Sequence, residues 1–419
     1  MTMAQPASAQ SYASQRKTVS HWKTANPLFD AIVGGGSANT KAACIIAAQI
    51  EEDLIGRSWP TGTIYGSETH LESKFGVCRS VVREAVRILE SRGTARMRRG
   101  PNGGLLILAP SMSLVLEAID RYVTSHCREL HRGKDGRTIL QAVHARLIGP
   151  GAKNCVGPAL ASFLEEMISA VNQHARQGPS GRIPLGATVE SARSRAQHIF
   201  RLLMKDLNSS RTIDRRLGSE LDLCDRYGAD RDVLRQAVRV LEFEGIAESV
   251  AGRGKGLMTR TPEPAALCRL INCYFTAARV TPSDAMSLFK LLSVEAISIA
   301  AEDATDEELA RLKNAQRLLH AADVRMTAKV MQEAEESQFG IIDEPLVDIL
   351  LRCTKSYSTW WSSLRNPQSE QLDIIYRTET LKVISALLER DVTAVAAAQA
   401  AKVERLNGLI LNQHRAVSA

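Results

Sequence analysis

Apolar residues recur at three- and four-residue spacing over most of this chain, the pattern of amphipathic helices. Residues 1–40 are the exception: rich in Ser, Ala, Gln and Thr, with Gly34-Gly35-Gly36, they read as a disordered tail. A lead helix is predicted over 41–54 and a short one over 69–74, with Leu71 and Phe75 facing inward. Gly76 ends that helix, because glycine enters the left-handed region without a Cβ penalty. The next helix, 79–91, carries Val82, Val86 and Leu89 on one face, and Ala85 is small enough for close helix packing. After Gly93 the period shortens. Residues 95–98 and 105–108 are strand-like around Gly100-Pro101-Asn102-Gly103-Gly104, which predicts a β-hairpin. Residues 112–175 are again helical, and 177–185 read as a loop. From 263 onward, apolar runs at 266–275, 285–301, 307–321, 346–364 and 372–389 predict a helical bundle.

The helix–turn–helix–hairpin pattern occurs twice, at a fixed offset of 152 residues. Residues 67–106 align without a gap on 219–258, so that Gly76 falls on Gly228, Arg79 on Arg231, Arg83 on Arg235, Arg87 on Arg239 and Gly100 on Gly252. The register persists past the hairpin, where Ile119, Tyr122 and Thr124 match Ile271, Tyr274 and Thr276. An offset kept through helix, turn and hairpin marks a duplicated structural unit.

Each unit has the shape that lays its second helix in a DNA major groove, with the hairpin as a wing. Arg79, Arg83 and Arg87 lie along one face of that helix, and the first wing adds Arg96, Arg98 and Arg99. A charge row is usually only a solvated face, but here it coincides twice with a glycine turn and a wing. Charge distribution agrees. Residues 263–419 hold 17 basic and 21 acidic side chains, a net of −4, so the +7 of the whole chain arises from +11 over residues 1–262. The eight cysteines form no Cys-x-x-Cys pair, which argues against zinc and fits a reducing cytoplasm. No apolar run spans a bilayer and no nucleophile–base constellation stands out, so membrane and enzyme classes are disfavoured.

Leu71, Phe75-Gly76-Val77-Cys78-Arg79, Val82-Arg83-Glu84-Ala85-Val86, Leu89 and Gly93 resemble the winged helix-turn-helix of the GntR superfamily of bacterial transcription regulators. The resemblance implies contact with double-stranded DNA through Arg79, Ser80, Arg83 and Gly100, and through Arg231, Arg235 and Gly252 in the second copy. Arg98 and Arg99, then Arg253 and Lys255, are the wing residues expected to join them. The copies differ. Cys78 is a weak helix cap, whereas Asp230 is expected to cap better. Asp232 replaces Ser80 and would repel a phosphate. Copy two therefore reads either as a weaker reader or as a structural module, with DNA contact slightly favoured.

Residues 263–419 resemble the FCD domain that follows FadR-type winged helices, through Val294-Glu295-Ala296, Ile299-Ala300-Ala301, Glu379, Ala386, Arg390 and Asp391. That family often holds a divalent metal by one Asp and three His. Here the corresponding places read Glu336 and Gly340, Thr380, and Lys402, so no metal or cofactor is expected. Leu291 replaces a customary arginine, and Arg352, Lys355, Arg365 and Lys382 are candidate cavity residues. The expected fold is mainly α: two winged helix-turn-helix units and a C-terminal all-α bundle. The expected division is tail 1–40, unit one 41–110, a truncated helical segment with linker 111–190, unit two 191–262, and bundle 263–419. The expected function is that of a cytoplasmic bacterial DNA-binding transcription regulator, a repressor by the family's habit, with a small-molecule effector in the bundle and a homodimeric state. An alternative stays open, in which the bundle only dimerises or contacts proteins.

Overall fold

The computed structural model describes residues 41–126, 136–148, 156–177, 195–209, 215–252, 255–321, 326–360 and 370–417. The predicted tail at 1–40 and most of the linker at 177–185 lie outside them.

Helix α1 (Ala42–Gly56) buries Ile46, Ile50, Leu54 and Ile55. It lies against α3 (Arg79–Ser91), whose buried stripe is Val82, Ala85, Val86, Ile88 and Leu89. Between them runs α2 (Glu68–Phe75), capped by Ser67, which accepts from the His70 N–H at 3.1 Å, and closed by Gly76 at φ 61°. Strands β1 (Ala95–Arg98) and β2 (Gly104–Ile107) form an antiparallel hairpin with Ala95 opposite Ile107, and Ile64 adds one bridge to Leu106. Helices α4 (Met112–His126), α5 (Gly136–Ile148) and α6 (Pro158–Gln177) follow.

The second unit repeats this order. Helix α7 (Arg195–Ser209) precedes β3 (Arg216–Gly218), α8 (Glu220–Tyr227), α9 (Arg231–Phe243), β4 (Ala247–Val250) and β5 (Gly256–Thr259). Gly228, at φ 57°, turns α8 into α9 as Gly76 turns α2 into α3. Strand β3 was not evident from periodicity, because three residues cannot display an alternation. It is the extended counterpart of the Ile64 bridge: Arg216 pairs with Met258, each 152 residues beyond Ile64 and Leu106.

The C-terminal region is helical throughout its described residues: α10 (Pro264–Ala277), α11 (Pro282–Asp303), α12 (Asp306–His320), α13 (Ala328–Phe339), α14 (Pro345–Trp360), α15 (Glu370–Leu388) and α16 (Val392–Val417). Helix α11 lies at the centre, against α14, α16 and α5. Unit one shares a continuous apolar core with this bundle, whereas most of unit two's apolar residues form a core of their own.

Three elements meet at Arg92, just after α3. Arg92 Nε donates to Glu51 Oε1 at 2.7 Å, Nη1 to Glu244 Oε1 at 2.5 Å, and Nη2 to the Ala266 carbonyl at 3.1 Å. Its guanidinium also lies 4.9 Å from the Phe243 ring centroid. Burial alone would lower its pKa, but Glu51 and Glu244 hold it above the ordinary arginine value. Close by, Arg269 pairs with Glu52 at 3.5 Å, again buried. Replacing one member of a buried pair strands the other's charge, at a cost of about 3–5 kcal/mol. Arg92→Leu is therefore expected to lower stability by about that amount in chemical denaturation; a loss under about 1 kcal/mol would show that Glu51 and Glu244 are readily rehydrated.

Candidate nucleic-acid interface

The first turn of α3 leaves the αL glycine turn with its side chains in solvent. Arg79 and Arg83 are one helical turn apart, so they share a face, and their side chains are 61% and 62% exposed. Both are held by Glu68, the first residue of α2. Arg79 Nη2 donates to Glu68 Oε2 at 2.7 Å, and Arg83 Nε donates to Oε1 at 2.6 Å. Hydrogen bonding from Arg79, then from Arg83, holds the Glu68 carboxyl below the usual range. Unit two repeats the latch. Glu220, 152 residues on, accepts from Arg235 Nε at 3.1 Å, with Arg231 Nε 3.8 Å away. Neither glutamate stands out in the sequence, because an acidic residue in the first turn of a helix is ordinary there. The Ser-Glu pair heading α2 and α8 was the available signal.

Arg87 departs from the row. It pairs with Glu90 at 2.6 Å, while its counterpart Arg239 reaches across to Glu84 of unit one at 3.0 Å. The third arginine thus joins the units only in α9, through Arg239, while Arg87 is tied within its own helix.

Ser80 is exposed beside Arg79, and its hydroxyl lies 3.1 Å from Cys78 Sγ. That hydrogen bond, with backbone N–H groups of the helix start, lowers the thiol's pKa. Neither Cys78 nor Asp230 caps its helix through a side-chain hydrogen bond. The expectation of a better cap at Asp230 is thus corrected: its carboxylate turns outward, 3.6 Å from Arg195 and 78% exposed.

In the first wing, Arg96, Arg98, Arg99 and Gly100 are exposed. Arg98 donates to the Asn102 carbonyl at 2.9 Å, and Gly100 takes φ 104°, which a side chain would strain. Gly252 takes φ 130°, and Lys255 is exposed with its N–H on the Gly252 carbonyl at 3.1 Å. Arg253 lies outside the described residues. At the places of Arg96, Arg98 and Arg99 the second wing has Glu248, Val250 and Ala251, and Glu248 neutralises Arg260 at 2.9 Å. The two faces have one geometry and unequal charge.

A carboxylate beside two arginines must yield when a phosphate arrives. Glu68→Gln is expected to tighten binding to duplex DNA about two- to fivefold, the scale of one exposed ion pair, in fluorescence anisotropy at fixed salt. Weaker binding would mean that Glu68 instead holds the arginines in their DNA-reading pose.

Residues 44–102 match the family model described as bacterial regulatory proteins, gntR family. No curated protein matches the chain. Among solved structures, a Streptococcus agalactiae GntR is 21% identical, covering 50% of this chain and 97% of its own, with a TM-score of 0.33. No described helix is long and apolar enough to cross a membrane. Residues 44–102, which hold the αL turn, the latched arginines and the first strand of the wing, are a helix-turn-helix domain of the gntR family of bacterial regulatory proteins.

Proposed function

We propose that this protein is a sequence-specific DNA-binding transcription regulator that acts as a repressor, with Arg79, Ser80 and Arg83 reading bases and phosphates and the first wing gripping the backbone. The observation that carries this reading is the exposed arginine pair on the first turn of α3, beside a wing with three exposed arginines. Arg231 and Arg235, 67% and 56% exposed, extend the reading surface to unit two, and Lys255 and Arg253 join it from the second wing. Repression follows if the bound protein occludes the polymerase.

The bundle supplies the control. Glu335 accepts from Lys355 at 3.0 Å and from the buried Lys402, and these two cations hold its carboxyl far below the usual range although burial opposes them. Tyr376 donates to Glu335 at 2.9 Å. Gln338 on α13 and Gln399 on α16 lie three residues from Glu335 and Lys402, on the same helix faces, and their Oε1 atoms are buried without a protein hydrogen-bond partner. These charged groups converge from α13, α14, α15 and α16, and we favour a small polar effector that competes for them over a purely structural bundle. The other candidate cavity residues are engaged elsewhere: Arg352 with Asp348 at 2.8 Å and Lys382 with Glu379 at 2.8 Å; Arg365 lies outside the described residues.

The test is selection from a random duplex library followed by a salt titration, comparing wild type with Arg79→Ala/Arg83→Ala. Wild type is expected to enrich a motif and to lose affinity steeply with salt. The variant is expected to lose the motif and at least about tenfold in affinity. Enrichment unchanged in the variant would remove the reading.

A further inference from the structure

The two units touch at equivalent residues. Arg92 and Glu244 stand 152 positions apart, the repeat offset itself, and are hydrogen-bonded at 2.5 Å. Units related by a twofold axis bring equivalent residues together only at that axis. This pair therefore marks a pseudo-twofold within one chain. The helices beneath obey the same relation. Helix α4 packs on α10 and α5 on α11, each against its own counterpart at the 152 offset, and Arg146 of α5 pairs with Glu295 of α11. One chain thus covers, from its own first half, the faces of α10 and α11 nearest the axis.

The pairing departs from symmetry where identity would be costly. Two identical first units would bury Arg92 against Arg92, and two second units Glu244 against Glu244. The Glu84–Arg239 bridge shows the same asymmetry, since its symmetry-related places are Gln236 and Arg87, and Arg87 turns to its own Glu90. The contact suits unlike partners.

We infer that a single chain is the complete DNA-reading unit: it binds one duplex site made of two unlike halves, in one orientation, at one chain per duplex. This rests on the DNA-reading function proposed above. Glu84 and Arg239 join the two reading helices, and at 1.5 Å per residue the exposed tips at Ser80 and Asp232 lie no more than about 30 Å apart. That is within the roughly 34 Å of one DNA turn, so the two tips are close enough to meet one duplex. Their chemistry differs. Unit one offers Ser80 and a wing with Arg96, Arg98 and Arg99; unit two offers Asp232 and Glu248, Val250 and Ala251. The first half-site is bound strongly and the second weakly, which fixes the orientation.

The experiment uses the full chain and duplexes enriched from a random library, with native mass spectrometry for stoichiometry and hydroxyl-radical footprinting for symmetry. Expected are one chain per duplex and a motif of two dissimilar halves. Arg231→Ala/Arg235→Ala, both exposed positions, is expected to erase protection over one half only and to weaken binding about five- to thirtyfold. A palindromic motif, two chains on each minimal site, or a footprint unchanged by that variant would overturn the inference while leaving DNA reading intact. Failure to enrich any motif would overturn both.

Discussion

Arg92 is where the architecture is tied together. Its guanidinium joins the lead helix of unit one through Glu51, the end of α9 in unit two through Glu244, and the bundle through the Ala266 carbonyl. Taking three charges out of water costs several kcal/mol for each ion, and a buried pair is weak evidence for added stability. Its effect is on arrangement. Only one placement of the two units satisfies those hydrogen bonds at once, and any slip leaves buried carboxylates uncompensated. Lys41, reaching Glu242, and Arg239, reaching Glu84, act in the same direction from the rim.

Unequal mounting of the two units follows. Unit one is continuous with the bundle core, through Leu267 and Ile271 of α10, and its orientation is set by the whole C-terminal mass. Unit two has its own smaller core around Leu203, Leu223, Leu234 and Leu241 and meets the rest mainly through α7 and α9. A displacement in α10 passes directly to Arg92 through the Ala266 carbonyl and from there to Glu244. Lys355, which pairs with Glu335, is followed on α14 by Ser356, and Ser356 is hydrogen-bonded to Asn272 of α10 at 3.1 Å, so the charged network and the Arg92 contact sit on directly bonded helices.

Much of this could be read from sequence because strong local signals carried it. Gly76 and Gly228 are left-handed turns between short helices, and Val82, Val86 and Leu89 kept an unmistakable stripe. The bundle's helices at 264–277, 282–303 and 370–388 were evident for the same reason. Helices α13 and α16 were not, because α13 is polar over most of its length and the alanines opening α16 give little contrast between faces. At the interface, Arg79 and Arg83 were found as charges following a known turn, but the Glu68 latch was not, since its meaning arises only when α2 folds across α3. The Arg92–Glu244 contact was hidden for a different reason: charges at helix ends are normally solvated, and burial here comes from α1, unit two and the bundle closing together on Arg92. The alignment of 67–106 on 219–258 did contain its trace, as one of two repeated positions, 92/244 and 96/248, at which the sign of charge reverses.

The most direct measurement is the distance between spin labels placed at Ser80 and Asp232 in the DNA-free chain, with Cys78 replaced by Ser, read by double electron–electron resonance on dilute protein. A single narrow distribution is expected, consistent with backbones no more than about 30 Å apart and unchanged on further dilution. A broad distribution, or one that shifts with protein concentration, would show that Arg92 does not fix the two units within one chain.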